Sequence, residues 1–253
     1  MALLVTSYYP LMESFHTSED RDWDSRLDHF IRMARLEDVD VLVFTDETHG
    51  HLIRARLGKE SLDRVDVNST RFPDFRTTTT AKRLLGKTLH PPACRHPEKN
   101  SIDYMVLQLC KTEFVAAALD LEKYRSVNIL AWFDFSLARL LSPNDCLWSR
   151  LDARFSTNLP GRITLPGCWD YSLVDDEYLF RCVCWRFCGG FFCGDREAIA
   201  LFFEAVTTAL VPFTEASQGI LAWEVNVWAW LEKHHHHQNL FQWYPGDHND
   251  TIL

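Results

Sequence analysis

Residues 127–136, VNILAWFDFS, constrain this chain more than any other stretch. Five of the six residues from Val127 to Trp132 are apolar or aromatic. A short run of that kind predicts a buried strand over 127–133. The run then meets Asp134, between Phe133 and Phe135. In open α/β sheets, ligands sit beyond the carboxyl ends of the strands. Asp134 is therefore a carboxylate placed where a buried strand would meet a ligand. The competing role is local: a turn or N-cap Asp ahead of a short helix over 135–141.

The segments upstream supply a setting for that strand. Residues 2–7 are strand-like. Residues 24–36 form an amphipathic helix pattern, with Leu27, Phe30, Ile31 and Ala34 at i, i+3, i+4 and i+7. Residues 39–44 read as a second strand, ending in Thr45 and Asp46. A helix over 47–57 is expected to be interrupted by Gly50 and stopped by Gly58. Residues 65–67 make a short third strand, followed by Asn68, Ser69 and Thr70. This β-α-β-α-β order implies a parallel sheet of nucleotide-binding type. Residues 101–121 carry the strongest helix pattern, with Ser101 as N-cap and a stripe of Ile102, Met105, Val106, Leu109, Ala116 and Leu119. Lys111 lies off that stripe; it is placed either to reach a phosphate or simply to be solvated.

Residues 71–100 are less regular and locally basic, with Arg71, Arg76, Lys82, Arg83, Lys87, Arg95 and Lys99. They read as a lid over an anionic ligand or as a solvated, partly helical surface. The chain as a whole has 26 Lys plus Arg against 35 Asp plus Glu, a net charge of −9. That balance argues against broad nucleic-acid binding, and it requires local cations or a metal wherever an anionic ligand binds. No apolar run is expected to span a membrane, and MALLVTSYY reads as a first strand rather than a signal sequence. Eight cysteines without a signal sequence suggest reduced thiols and a cytoplasmic location. Five of them cluster, at Cys168, Cys182, Cys184, Cys188 and Cys193. They read as small buried hydrophobes, with a zinc-stabilised interaction module as the alternative, although no CxxC pair occurs. The run His234–His237 reads as an exposed polar loop.

Downstream, residues 143–176 read as turns plus one strand over 162–165, and 178–187 alternate like a strand. Asp195 caps a helix bearing Ile199, Phe202, Phe203, Val206 and Leu210. A further helix over 220–231 points Ile220, Trp223, Val227 and Leu231 inward and carries Glu224 among tryptophans. No linker or repeat divides the chain, so residues 1–253 read as one domain. GxGxxG, P-loop, GxSxG and HExxH motifs are all absent. What remains is a set of separated pieces: Thr6–Tyr8, Lys111, Asp134, Gly189–Gly190, Glu224 and Gly246–Asp247–His248.

In this order the pieces resemble the HtrL/YibB-like glycosyltransferase family, of the GT-A class. The matching segments are VTSYYPL, YMVLQLCKTEFVAAAL running on to NILAWFDFS, GGFFCGDREAIALFF, GILAWEVNVWAWL and WYPGDHNDTIL. The resemblance implies an α/β, GT-A-like, Rossmann-type mixed sheet flanked by helices. It also implies a nucleotide-sugar donor, UDP- or GDP-linked, and transfer of the sugar to a hydroxyl on a glycan or other acceptor. In this class an Asp-rich motif after a strand holds Mn²⁺ or Mg²⁺ on the donor diphosphate, which meets the need to offset charge on the leaving group. Asp134 matches that motif, but Trp132 and Ser136 stand where a second carboxylate would be. The cation would then take Asp134 plus His248 or Asp247. Alternatively, Lys111 and the basic segment would stabilise the leaving group without a metal.

Glu224 is the carboxylate expected near the reacting centre, as base in an inverting reaction or as a donor-positioning group in a retaining one. Trp223 and Trp228 beside it would desolvate it or form a sugar-stacking wall. The alternative is a surface Glu. Thr6, Ser7 and Tyr8 are expected at the nucleoside, with Tyr8 stacked on the base or packed in the core. Gly189 and Gly190 match the glycine pair that begins the acceptor-side helix, or form a plain tight turn. A non-catalytic nucleotide-sugar or carbohydrate-binding relative is the alternative function.

Overall fold

The computed structural model describes residues 2–10, 23–34, 39–58, 63–69, 75–92, 101–140, 147–234 and 237–253. The strands are β1 (Ala2–Tyr8), β2 (Asp40–Thr45), β3 (Val65–Ser69), β4 (Ile129–Phe133), β5 (Ile163–Gly167), β6 (Phe191–Asp195) and β7 (Phe241–Pro245). The helices are α1 (Trp23–Ala34), α2 (Glu47–Leu57), α3 (Thr79–Leu84), α4 (Ile102–Leu109), α5 (Lys111–Ala117), α6 (Leu147–Thr157), α7 (Asp176–Arg181), α8 (Arg196–Ala216) and α9 (Glu224–His234). All seven strands form one sheet in the order β3-β2-β1-β4-β6-β5-β7. The first four are parallel, with Val5 opposite Trp132 and Thr6 opposite Val43. β6 runs antiparallel to both β4 and β5, and β7 is parallel to β5.

Alternation along the strands builds two cores, one on each face of the sheet. Leu3, Val5, Leu130, Trp132 and Phe192 face α3, α4, α5, α8 and α9. Leu4, Ala131, Phe133, Phe191 and Cys193 face α1, α2 and α6. The result is a three-layer α/β arrangement, as β-α-β-α-β order and buried strands require.

Several elements depart from the sequence expectations for identifiable reasons. The helix expected over 101–121 breaks at Cys110, whose ψ of −4° bends the axis between α4 and α5 and turns Lys111 inward. The strand expected over 178–187 is helix α7 followed by an irregular segment. Asp175 caps α7 by accepting from the N–H groups of Glu177 and Tyr178. The Asn226 side chain then satisfies backbone that a strand would have paired. Its amide donates to Leu179 O and Cys182 O, and its oxygen accepts from Cys184 N. Residues 147–157 are helical rather than turns, and β6 and β7 are strands that alternation alone did not announce.

Helix α2 runs unbroken through Gly50, where a Cβ would collide with Ser69 Oγ of β3. The helix expected over 220–231 starts at Glu224 instead, because Ile220 pairs with His90 as an isolated bridge. The short helix expected over 135–141 is a 3₁₀ turn, Leu137–Leu140. Asp195 does cap α8, through Ala198 N at 2.8 Å. By length and composition α8 could cross a membrane, contrary to expectation, but its face from Ala198 to Phe213 is buried in the core.

Candidate active site

The connection out of β1 leads to β2 on one side, while β4 lies on the other. At such a reversal of strand order, α/β sheets bind ligands in the crevice beyond the carboxyl ends of the strands, here those of β1 and β4. Strand direction brings further segments to the same edge. The N-terminal end of antiparallel β6, and the C-terminal ends of β5 and β7, all lie beside the end of β4. Asp134, Gly189–Gly190, Cys168 and Gly246–His248 therefore share one edge of the sheet.

At that edge five of the expected residues converge. Asp134 N–H donates to Gly190 O at 2.8 Å, so the strand end is pinned to the glycine pair. The Asp134 carboxylate accepts from Ser136 N at 3.2 Å and Ser136 Oγ at 3.1 Å. Its other oxygen is 3.6 Å from Lys111 Nζ. Lys111 in turn donates to Glu224 Oε1 at 2.6 Å and to Gly189 O at 3.0 Å. Its ammonium also lies 5.8 Å from the Trp132 ring centroid. The side chains of Lys111 and Glu224 are 5% and 6% exposed, whereas that of Asp134 is 35% exposed. A minus–plus–minus row thus runs from the interior to the crevice, with Asp134 as its open end. Such a row survives burial because each charge has an opposite neighbour and extra hydrogen bonds. Neither the surface Glu nor the solvated Lys considered from sequence is what the fold contains.

Gly189 is required here by space. A Cβ would run into Glu224 Oε1 and come within 3.2 Å of Lys111 Nζ. Gly190 is followed by β6, not by a helix, so the pair enters a strand and the helix begins only at Arg196.

Burial sets the surroundings of the other expected residues. Thr6 is fully buried within β1, on the strand face of Leu4 and Tyr8, and does not reach the edge. Tyr8 packs in an aromatic cluster, with ring centroids 4.4 Å from Trp23, 5.1 Å from His49 and 5.1 Å from Phe135. Ser7 is half-buried. Trp223 and Trp228 are buried in the core, so neither presents a face on which a sugar could stack. His248 is exposed, lies edge-on to Trp185 at 4.6 Å, and its N–H donates to Asp247 Oδ1 at 2.6 Å. That hydrogen bond, followed by a contact with Cys168, holds the Asp247 carboxyl below the usual carboxylate range. Among the described residues no three His, Cys, Asp or Glu side chains form a group ready to hold a metal.

The cysteine cluster divides. Cys184, Cys188 and Cys193 are buried, as small hydrophobes would be, while Cys168 and Cys182 are exposed. Burial pushes the Cys193 thiol up to about 12 and raises that of Cys188. In the basic segment, Arg71, Arg95 and Lys99 lie outside the described residues. Lys87 pairs with Glu215 at 2.7 Å, and Arg76, Lys82 and Arg83 are exposed. The threonine run is anchored, since Glu113 accepts from Thr79 N, Thr80 N and Thr80 Oγ1.

Sequence reasoning missed two features of this edge. Asp46 caps α2 and also bonds His49 Nδ1 at 2.7 Å beside Tyr8, a pairing signalled by a strand end followed by Asp-x-x-His. The Arg186–Glu232 pair, bidentate at 2.8 Å and buried, holds the irregular segment from the other side of Gly189. No periodicity could have announced a pairing across 46 residues.

No protein-family model matches the sequence, and no curated protein matches it. A solved structure does share its architecture. The apo crystal structure of mouse xyloside xylosyltransferase 1 matches with a TM-score of 0.54 at 13% identity, over 96% of this chain and 85% of that one. The 4-diphosphocytidyl-2C-methyl-D-erythritol synthase of Anaerococcus prevotii gives a TM-score of 0.45 at 9% identity, over 100% of this chain and 88% of that one. The chain shares its GT-A-like mixed α/β fold with that xylosyltransferase structure.

Proposed function

We propose that this GT-A-like chain is a glycosyltransferase. It would move a hexosyl or pentosyl unit from a UDP- or GDP-linked donor to a hydroxyl of a glycan or other acceptor. The resemblance to the HtrL/YibB-like family and the fold shared with a xylosyltransferase both favour that class over other users of the fold. The observation that carries the reading is the buried Lys111, set 2.6 Å from Glu224 and 3.6 Å from the accessible Asp134 at the strand-order reversal. Breaking a sugar–phosphate bond leaves charge on a diphosphate, and a fixed charge row at that point supplies preorganised electrostatics.

In this reading Asp134 is the residue that meets the donor diphosphate. A Mg²⁺ or Mn²⁺ held at this edge would take a single protein carboxylate, with oxygens of the donor phosphates and water supplying the rest. Asp134 would be that carboxylate, and the cation would offset charge on the departing diphosphate. Lys111 holds the rear of Asp134 and fixes the Gly189 carbonyl. Glu224 has Oε1 committed to Lys111, so only Oε2 remains to orient the donor sugar or take the acceptor proton. Gly189 leaves room for the Lys111–Glu224 pair, and the Gly190 carbonyl fixes the end of the strand that carries Asp134.

The test is release of nucleotide diphosphate from a panel of UDP- and GDP-sugars, with and without Mn²⁺ or Mg²⁺. Turnover is expected in at least one combination, lost in Asp134→Ala with the fold intact by circular dichroism. Undiminished turnover in that variant would overturn the assignment. A second reading, a non-catalytic nucleotide-sugar binder, is favoured by one observation. The positions flanking Asp134 hold a buried Trp132 and a Ser136 that hydrogen-bonds Asp134, not a second carboxylate. Tight donor binding with no release under any cation condition would select it.

A further inference from the structure

The exposed aromatic rings among the described residues are concentrated in one place. Among the described residues the exposed aromatics are Tyr171, Tyr178 and Trp185, with Leu173 beside them at 63% exposure. They are tied together through residues just beyond β5. Trp185 O accepts from both Cys168 N at 2.8 Å and Trp169 N at 3.1 Å. Trp169 meets the Tyr178 ring edge-on at 5.2 Å, and the Arg186 guanidinium lies 5.9 Å from the Tyr171 ring. His248, just beyond β7, stands edge-on to Trp185. A concentration of exposed apolar rings marks a binding face.

Its position says what for. β5 lies two strands from β4, about 10 Å along the same edge at the usual strand spacing. The segment that carries Trp185 continues through Arg186, Phe187 and Cys188 directly into Gly189, the residue that holds Lys111. The β1–β4 crevice is the donor side, and this face adjoins it on the other side of Asp134. Its charges narrow the ligand. Arg186 is buried against Glu232, Arg181 pairs with Glu177 at 2.8 Å, and Lys233 pairs with Asp176 at 3.0 Å. Nearby Asp170 and Asp247 are exposed carboxylates. Paired cations and open carboxylates disfavour a phosphorylated or acidic ligand and suit hydroxyl donors, while the rings suit the apolar face of a sugar.

We infer that Trp185, with His248 and the flanking Tyr171 and Tyr178, is the acceptor platform, and that the acceptor presents an uncharged sugar ring to it. This rests on the glycosyltransferase reading for the direction of transfer, but the platform itself is tested without turnover. The probes are xylobiose, cellobiose and maltose, with glucose 6-phosphate as an anionic sugar, observed by saturation-transfer NMR on the full chain. A parallel thermal-shift series with UDP- and GDP-sugars reports the donor side.

At least one neutral disaccharide is expected to receive saturation, reduced five-fold or more in Trp185→Ala and largely retained in Trp185→Phe. Should Trp185→Ala fail to fold, Tyr178→Ala carries the same expectation at about half the loss. Donor stabilisation without any neutral-sugar signal would overturn the platform and leave the transferase reading standing. An undiminished signal in the alanine variants, or a stronger one from glucose 6-phosphate, would overturn it as well. Silence from both sugars and donors would overturn both.

Discussion

At the residue scale, the molecule's sharpest feature is Lys111. Removing one partner of a buried ion pair leaves the other uncompensated, a loss of about 3–5 kcal/mol. Lys111→Met should therefore lower the denaturation free energy by roughly that much. Lys111→Met combined with Glu224→Leu should recover a large part of the loss. Additive losses in a denaturant series would show that the pair is not coupled. Gly189→Ala should cost about 1–3 kcal/mol by forcing Glu224 off Lys111, and should cut nucleotide release together with Tm.

The thiols give a pH dependence with a definite sign. Cys193 moves from 9.0 to about 12 because it is buried. Above pH 9 the unfolded chain loses that proton while the folded chain keeps it, so stability falls as pH rises from 9 towards 12. Cys110 and Cys188 shift in the same direction through burial. Chemical denaturation between pH 8 and 11 should show this slope, reduced in Cys193→Ala. Thiolate is the reactive form, so alkylation at pH 7.5 followed by peptide mapping should label exposed Cys182 well before Cys110, Cys188 or Cys193.

At the element scale, α9 organises the site. It buries Glu224, Asn226 and Glu232, and each holds a different part of the chain. Glu224 takes Lys111, Asn226 takes the backbone of 179–184, and Glu232 takes Arg186. The segment from 182 to 190 is thus shaped by side chains of a helix more than thirty residues later, instead of by a ladder of its own. Asn226→Ala would leave Cys184 N–H, Leu179 O and Cys182 O without that partner, at about 1–3 kcal/mol for each buried group left unsatisfied. Hydrogen exchange over 179–190 should accelerate in this variant while that of β1, β2 and β4 stays slow. Equal acceleration everywhere would mean that Asn226 supports the fold globally rather than this segment. The strand expected over 178–187 failed for the same reason: its alternation is real, but Asn226 offers the backbone a different set of partners.

At the scale of the whole molecule, the sheet sorts the edge into two halves around Asp134. One lies beyond β1 and β2, and the other beyond β6, β5 and β7. A donor bound across the first half stabilises the folded state by mass action, about 2.7 kcal/mol at one hundred times its Kd. A UDP- or GDP-sugar with Mn²⁺ should raise Tm, and EDTA should reverse most of the rise if Asp134 meets the diphosphate through a cation.

Much of this architecture was legible in the chain itself. Short apolar runs ending in polar residues, separated by stripes at helical spacing, demand buried parallel strands between helices, and 127–133 had to end by delivering Asp134 to an edge. The caps at Ser101 and Asp195 were legible because a cap is a local bond over three residues. Local pattern rightly turned Trp223 inward and left Tyr8 open between base and core, but it misjudged Thr6, since which part of a strand end is covered depends on neighbours brought from elsewhere.

The pairing of Lys111 with Glu224 across 113 residues was beyond reach for a stronger reason. Periodicity reports which face of an element is apolar. It carries no information about which charges meet once two faces close, and a buried Lys looks like a solvated one until its partner arrives. Local pattern is enough for the layers and for the strand that carries Asp134. Backing that carboxylate with a buried ammonium and a second carboxylate took the packing of distant elements, because burial makes such a row stable only when all three are placed together.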